Sequence, residues 1–326
     1  MSSTRKPEAG KVAALPRSRL HLQFLLDNGA EPDVVLYRDA FMREPVEASY
    51  PGRAVDLGRE SLPGRSLTSV LATRRANAAY YRSVAALLQP LGIERLILFL
   101  EGEPLERFLM ALPEIRTVEL WEDGLSHYTD LTSPLWYAAR GAVQAAVGFY
   151  PRDILHRRID RSTVVVRDRF ERRNLVLNSP TMPGKQRDAL LFVGSPLVED
   201  GIIRHTRFLT AMRQVAAASP IAVRYLPHPR ENLTRLRADL TGISNVEIEP
   251  NAGGLMEHAG RFGYRAYAAA ISTGLLDLGR SDQSVYVPQM FGCTRMARAL
   301  RQWPANPVRL AEDEDALRRF LVAIQS

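Results

Sequence analysis

An α/β fold in two halves, each a parallel sheet with crossover helices, is what this sequence predicts. Three observations carry the prediction. At 326 residues the chain exceeds what one core usually supports, so two domains of roughly 150 residues are expected. Short apolar strands alternate with segments of helical period in two separate runs. Between the runs lies Ser179 to Gln186, whose Pro180, Pro183 and Gly184 give it the composition of a linker. The expected domains are therefore 1–180 and 186–326, with the last helix returning to pack on the first domain.

Taken in order, residues 1–18 read as a flexible basic arm, and Leu20–Leu26 as an apolar stretch of undecided type. Asp33–Tyr37 reads as a buried strand and Gly52–Gly64 as loop. From Leu67, the residues Val70, Leu71, Ala78, Tyr81, Val84, Ala85 and Leu88 follow the helical period until Pro90 and Gly92 stop it. Leu96–Leu100 is a second strand, Leu105–Leu112 a short helix and Thr117–Trp121 a third strand. A helix follows near Leu135–Phe149, and Thr163–Val166 with Leu175–Leu177 suggests a hairpin or a bridge between halves. The alternation then restarts: strand Ala189–Val193, helix Phe208–Val215, strand Ile221–Tyr225, helix Leu233–Leu240, and strand Val246–Ile248. It ends with helix Leu255–Ala259, strands Tyr267–Ile271 and Ser284–Val287, and helices Met296–Leu300 and Ala316–Ile324.

The totals exclude several function classes. Hydrophobic content of 46% and charged content of 24% are ordinary for a globular protein. No run of about 18 apolar residues is present, so no membrane-spanning helix is expected. The N-terminal stretch has only Val12–Leu15 where a signal peptide needs a longer apolar core. The lone Cys293 excludes an internal disulfide and suits a reducing, cytoplasmic setting. A net charge of +7 admits an acidic partner: a phosphorylated substrate or an anionic membrane surface. Basic residues are not interleaved with aromatic stacking platforms, so nucleic acid is not an expected partner.

Three polar clusters fall at predicted strand ends, the edge at which open α/β sheets bind ligands. Trp121 leads into Glu122-Asp123-Gly124: adjacent like-charged carboxylates, poor for folding and good for chemistry, then a glycine that permits a sharp turn. In IAVRYLPHPR, Pro227 and Pro229 stop the strand and hold His228 at its carboxyl end. Ser272-Thr273 opens an expected helix, a place where free N–H groups receive phosphate, although simple N-capping explains the pair equally well. Asp313-Glu314-Asp315 has the form of a metal-binding Asp-x-Asp motif, but acids at the start of the final helix are the preferred explanation. His127, His205 and His258 lack ligand spacing with any cysteine, so no metal site is expected.

In order and spacing, Glu122-Asp123-Gly124, His228-Pro229 and Ser272-Thr273 resemble the motifs of the bacterial sialyltransferases. That group includes lipooligosaccharide sialyltransferases and capsular polysialyltransferases. Phe192–Gly201 (FVGSPLVEDG) and Tyr225–Glu231 (YLPHPRE) add to the similarity, which is strongest over 117–280. The resemblance implies a GT-B-type fold, two Rossmann-like domains facing a central cleft, with the acceptor on the first and the nucleotide donor on the second. It also implies an inverting transfer from a CMP-linked sialic acid to a glycan hydroxyl, with neither metal nor cofactor. Asp123 would be the general base with Glu122 as support or substitute. His228 would act on the departing phosphate and Ser272 and Thr273 would bind it. Gly124 and Pro229 belong to the motifs themselves. Gly194, Ser195 and Asn251 are further candidates on the donor side, and His127 on the acceptor side. Another CMP- or UDP-sugar donor, and a non-catalytic membrane-associated nucleotide- or glycan-binding protein, remain open alternatives.

Overall fold

The computed structural model describes residues 10–62, 64, 66–151, 157–178, 186–250 and 254–324. The chain divides into two compact units: Met1–Asp123 with Thr132–Leu177, and Gly124–Leu131 with Asn178–Ser326. Most of the expected linker, and Asn251, lie outside the described residues.

The first unit runs β1 (Lys11–Ala14), α1 (Arg19–Asp27), β2 (Val34–Tyr37), α2 (Arg43–Ser49), β3 (Ala54–Asp56) and α3 (Leu67–Leu88). It continues through β4 (Ile93–Leu98), α4 (Pro104–Met110) and β5 (Thr117–Trp121). The short α5 (Leu125–Tyr128) belongs to the second unit, and α6 (Pro134–Ala146) and β6 (Val165–Arg167) return to the first. The six strands pair in the order β3-β2-β1-β4-β5-β6, all parallel. This is the doubly wound order, in which the chain changes direction between β1 and β4.

Several expectations for this unit are corrected, among them Gly52–Gly64, expected as loop, which holds the strand β3 paired to β2. Residues 11–18 are not part of an arm: Lys11–Ala14 is a central strand, with Ala13, Ala14 and Leu15 fully buried. The strand is only four residues long and has no period of its own, so it reads as a basic leader. Leu175–Leu177 forms no strand, so β6 pairs with β5 and makes no hairpin. The undecided Leu20–Leu26 lies in α1, capped by Ser18, whose Oγ accepts from His21 N. On α3 the buried stripe runs through Thr73, Asn77, Tyr81, Val84 and Leu88. Asn77 is buried without penalty because Ser61 N donates to its Oδ1 and its Nδ2 donates to the carbonyls of Ser61 and Val147. Leu71, expected on the core face, is instead 61% exposed.

The second unit runs β7 (Arg187–Val193), α7 (His205–Ala218), β8 (Ala222–Leu226), α8 (Leu233–Leu240), β9 (Val246–Ile248), α9 (Leu255–Phe262) and β10 (Tyr264–Ala269). It closes with α10 (Gly274–Asp277), β11 (Ser284–Tyr286), α11 (Thr294–Arg301), β12 (Arg309–Leu310) and α12 (Glu314–Ala323). Its parallel sheet has the order β12-β11-β10-β7-β8-β9, the same winding with β7 in the place of β1. The central strands carry buried apolar runs, Ala189–Val193 on β7 and Ala266–Ala269 on β10, as a parallel sheet covered on both faces requires. Phe192 on β7 stacks with Tyr225 on β8 at 5.6 Å between ring centroids. Helix α12, expected to return to the first domain, packs on α7 of its own unit, where Arg318 donates to the carbonyl of Ala217.

Candidate functional site

Because every strand of the first unit is parallel, the loops that follow the strands share one edge. The acidic motif sits there, directly after β5, and its two carboxylates have different surroundings. Glu122 is wholly buried and accepts from Arg169, from the backbone N at 3.0 Å and from Nη2 at 2.5 Å. It ties the end of β5 to the segment after β6. A carboxylate held in this way is an anchor, so Glu122 is unsuited to the supporting or substituting base role expected of it.

Asp123 keeps 22% of its side chain exposed, and its Oδ1 lies 3.6 Å from His21 Nε2. The histidine is 3% exposed and its ring stacks flat on Phe99, with centroids 4.2 Å apart. His21 Nδ1 accepts from Arg17 N at 3.0 Å, which leaves the neutral ring's proton on Nε2, facing Asp123. At 3.6 Å this is an electrostatic approach rather than a formed hydrogen bond. His21 escaped the sequence reading because its location depends on β1. Once Lys11–Ala14 is a strand, His21 becomes a buried polar residue in the helix that follows a central strand end.

Beside it, at the turn after β1, Arg17 is paired with Glu106, which is fully buried in α4. Burial pushes the Glu106 carboxyl up to about 7, against the opposing pull of Arg17. Arg17 also lies 3.9 Å from Asp39, which is bound by Arg38 and Arg59 after β2 and β3. The edge of this unit is therefore lined by alternating charges.

The corresponding edge of the second unit gathers the remaining motifs. Gly194, directly after β7, is a steric necessity. A Cβ there would sit 2.9 Å from the Leu226 carbonyl and 3.0 Å from His228 N. Ser195 Oγ donates to the carbonyl of Ile271 and so joins the ends of β7 and β10. His228 is half-buried, and its Nδ1 accepts from Arg230 N at 3.1 Å. Burial and the Arg230 charge lower its pKa from the usual histidine value. The neutral imidazole then carries its proton on Nε2, ready to donate to an anion. Pro229 is exposed beside it.

Beneath the histidine lies Glu231, which the sequence reading passed over. Its Oε2 accepts from His228 N and its Oε1 from Tyr225 Oη, both at 2.7 Å. Burial raises its pKa to about 7, although both hydrogen bonds act to lower it. The glutamate fixes the backbone that presents the histidine.

Ser272 and Thr273 are both half-buried. The helix they were expected to open is only the four-residue α10. Ser272 Oγ accepts from Gly274 N at 3.2 Å, and Thr273 Oγ1 accepts from Leu125 N at 3.3 Å. The latter bond brings the third motif against the residues that follow the first. Gly124 adopts φ +118°, and a Cβ on it would lie 2.3 Å from Thr273 Cγ2. No side chain other than hydrogen fits there. His127, expected on the acceptor side, is 3% exposed on α5 within the second unit. Burial there removes it from direct reach of a solvent-borne acceptor. Asp313 caps α12 by accepting from Ala316 N at 2.8 Å, the role preferred for the Asp-Glu-Asp run.

No protein-family model matches this chain, and no curated protein sequence matches it. Solved structures do. UGT89C1 of Arabidopsis thaliana, complexed with UDP, aligns with a TM-score of 0.52 at 12% identity, over 98% of this chain and 90% of that one. The spinosyn forosaminyltransferase SpnP aligns at 0.51 and 14% identity, over 97% and 90%. The UDP-GlcNAc 2-epimerase of Neisseria meningitidis, bound to UDP-GlcNAc, aligns at 0.50 and 12% identity, over 97% and 91%. Likeness at such low identity is a likeness of fold. With two doubly wound parallel sheets and alignment over nearly its whole length, the chain has the GT-B-type fold.

Proposed function

We propose that this chain transfers a sialic acid, or a related nonulosonic acid, from a CMP-linked donor to a hydroxyl of a lipooligosaccharide or capsular glycan, with inversion and without a metal. The observation that supports it most is Asp123, partly open at the sheet edge and backed by the buried His21. On this reading Asp123 takes the acceptor hydroxyl's proton as its oxygen bonds to the donor's anomeric carbon. The bond from that carbon to the phosphate oxygen breaks with its electron pair on the phosphate. His228 Nε2–H donates to that phosphate, with Ser272 and Thr273 nearby in the same unit. The donor carbon bears a carboxylate and passes through an oxocarbenium-like state, so charge stabilisation of the leaving group matters as much as the base. The work takes place in the cytoplasm, at the inner face of the membrane.

A second reading keeps the transfer and changes the donor to a uridine-linked sugar. The UDP and UDP-GlcNAc held by two structural neighbours favour it.

The deciding experiment measures CMP release from CMP-sialic acid, for wild type and Asp123→Asn, alongside thermal shifts with CMP, CDP, UDP and GDP. CMP should give the largest shift, and Asp123→Asn should lose about 10²–10⁴-fold in kcat while keeping that shift. A shift with UDP but none with CMP replaces the donor. Nucleotide binding without turnover on any glycan acceptor ends the transferase reading.

A further inference from the structure

Helix α6 exposes an apolar face to solvent. Leu135 is 81% exposed, Trp136 56% and Val143 63%, and Ala139, Ala142 and Ala146 are exposed beside them. Tyr137 and Gly141 turn the other way, into the unit. An amphipathic helix in a globular unit normally buries its apolar stripe. Here the stripe that is left outside is itself apolar.

The segment that carries that face and the helix beside it bear charge of one sign. Helix α3 and the stretch from Pro134 to Pro151 contain Arg74, Arg75, Arg82 and Arg140 but no aspartate, glutamate or lysine, in a chain with 36 acidic residues overall. The two segments are neighbours. Gly148, just after α6, approaches the backbone of Arg74 so closely that a Cβ would lie 2.9 Å from its Cα. Asn77 on α3 donates to the Val147 carbonyl, and Tyr81 Oη accepts from Tyr150 N. Arg74, Arg75 and Arg82 are exposed, as is Leu71 on the same helix. Arg140 lies over the Trp136 ring at 5.6 Å and within 3.5 Å of Glu103.

We infer that α6, flanked by the arginines of α3, is an interfacial anchor that seats this unit on an anionic lipid bilayer. Exposed leucine and tryptophan on segments that carry arginine and no acid of their own is the composition that enters a headgroup layer: the apolar face is buried among acyl chains, and the exposed Arg74, Arg75 and Arg82 face lipid phosphates while Arg140 is shared with Glu103. A water-soluble acidic protein would match the charge but would leave the large exposed leucine and tryptophan without a hydrocarbon phase. No helix among the described residues is long and apolar enough to cross a membrane, so the anchor lies on the surface.

The placement has a consequence for the site. Helix α6 follows β5 and leads to the parallel β6, so its first turn lies at the sheet edge where Asp123 sits. Tyr137, in that turn, packs beside Gly102 of the loop after β4. The bilayer would thus present a lipid-borne acceptor to the base. That consequence rests on the transfer reading; the membrane contact does not.

Co-sedimentation of the full chain with phosphatidylcholine vesicles, with and without phosphatidylglycerol, tests the inference. Wild type should bind the phosphatidylglycerol vesicles at least about tenfold more tightly, and less tightly as salt rises. Leu135→Ser with Trp136→Ser should weaken that binding about tenfold or more, with the thermal midpoint unchanged because both residues are exposed. Arg74→Gln with Arg75→Gln and Arg82→Gln should abolish the salt-sensitive part. Asp123→Asn should bind vesicles as wild type does, which separates this inference from the transfer chemistry. No binding of wild type to anionic vesicles, or undiminished binding by the Leu135/Trp136 variant, overturns it.

Discussion

Asp123 and Glu122 are adjacent in sequence and unlike in circumstance, and the cause is what each meets. Arg169 follows β6, and its guanidinium is turned inward onto Glu122. Asp123 meets an imidazole whose other nitrogen is already engaged by backbone. If His21 holds and polarises that carboxylate, His21→Phe should keep the stacking on Phe99 and lose the partner. The expected result is a fall in kcat of about tenfold to 10², with KM for the donor and the thermal midpoint nearly unchanged. An unchanged kcat would make the histidine a packing residue only. Glu231 gives a second test, through pH. Its folded pKa of about 7 lies above the unfolded value of 4.5. The protonated form is therefore the one the fold prefers. Its contribution is complete below pH 4.5 and is lost as pH rises through about 7, with a full difference of about 3 kcal/mol. Urea midpoints of wild type and Glu231→Gln should thus diverge between those values, with wild type losing more. Parallel curves would mean that Glu231 titrates normally. The histidine motif was legible because prolines frame it. The glutamate three residues later was not, because burial beneath a loop leaves no mark on composition.

At the scale of elements, strands with a continuous apolar run were readable, and three strands without one were not. VVLY, LILFL and ALLFV announce themselves because a parallel sheet covered on both faces selects continuous apolar runs. β1 (KVAA), β3 (AVD) and β12 (RL) have no such run and take their identity from their neighbours in the sheet. The same holds for glycine. In sequence, Gly124 signals a turn; in the structure it is also the only residue that leaves room for Thr273. Gly124→Ala combines a φ of +118° with a side-chain clash. It should cost about 2–4 kcal/mol in urea unfolding. Thr273→Ser should recover only part of this, since Oγ1 and the backbone strain remain. A loss under about 0.5 kcal/mol would show that the two segments can separate freely.

The whole molecule repeats one winding twice, and the repeat was visible as a rhythm of strands and helices. What the rhythm could not show is that the second unit takes a piece of chain from the middle of the first. Residues 124–131 precede α6 in sequence, so a reading that proceeds from start to end assigns them to the first half. Their contacts assign them to the second. Leu125 N donates to Thr273, and Tyr128 stacks on Trp303 with centroids 4.3 Å apart and planes 14° from parallel. A fragment cut at the apparent linker, 186–326, would therefore lack part of its own core. Trp303 is the only tryptophan in that fragment and is 4% exposed in the complete chain. Without Tyr128 its ring meets water. The loss of that stack and of the buried leucine should destabilise the fragment on the order of 2–4 kcal/mol relative to one carrying 124–131 on a flexible tether. Tryptophan emission should be red-shifted in the bare fragment and return to the blue in the tethered one. Identical spectra and identical urea midpoints would place 124–131 outside the core of the second unit, and the division of the chain would revert to the linear one.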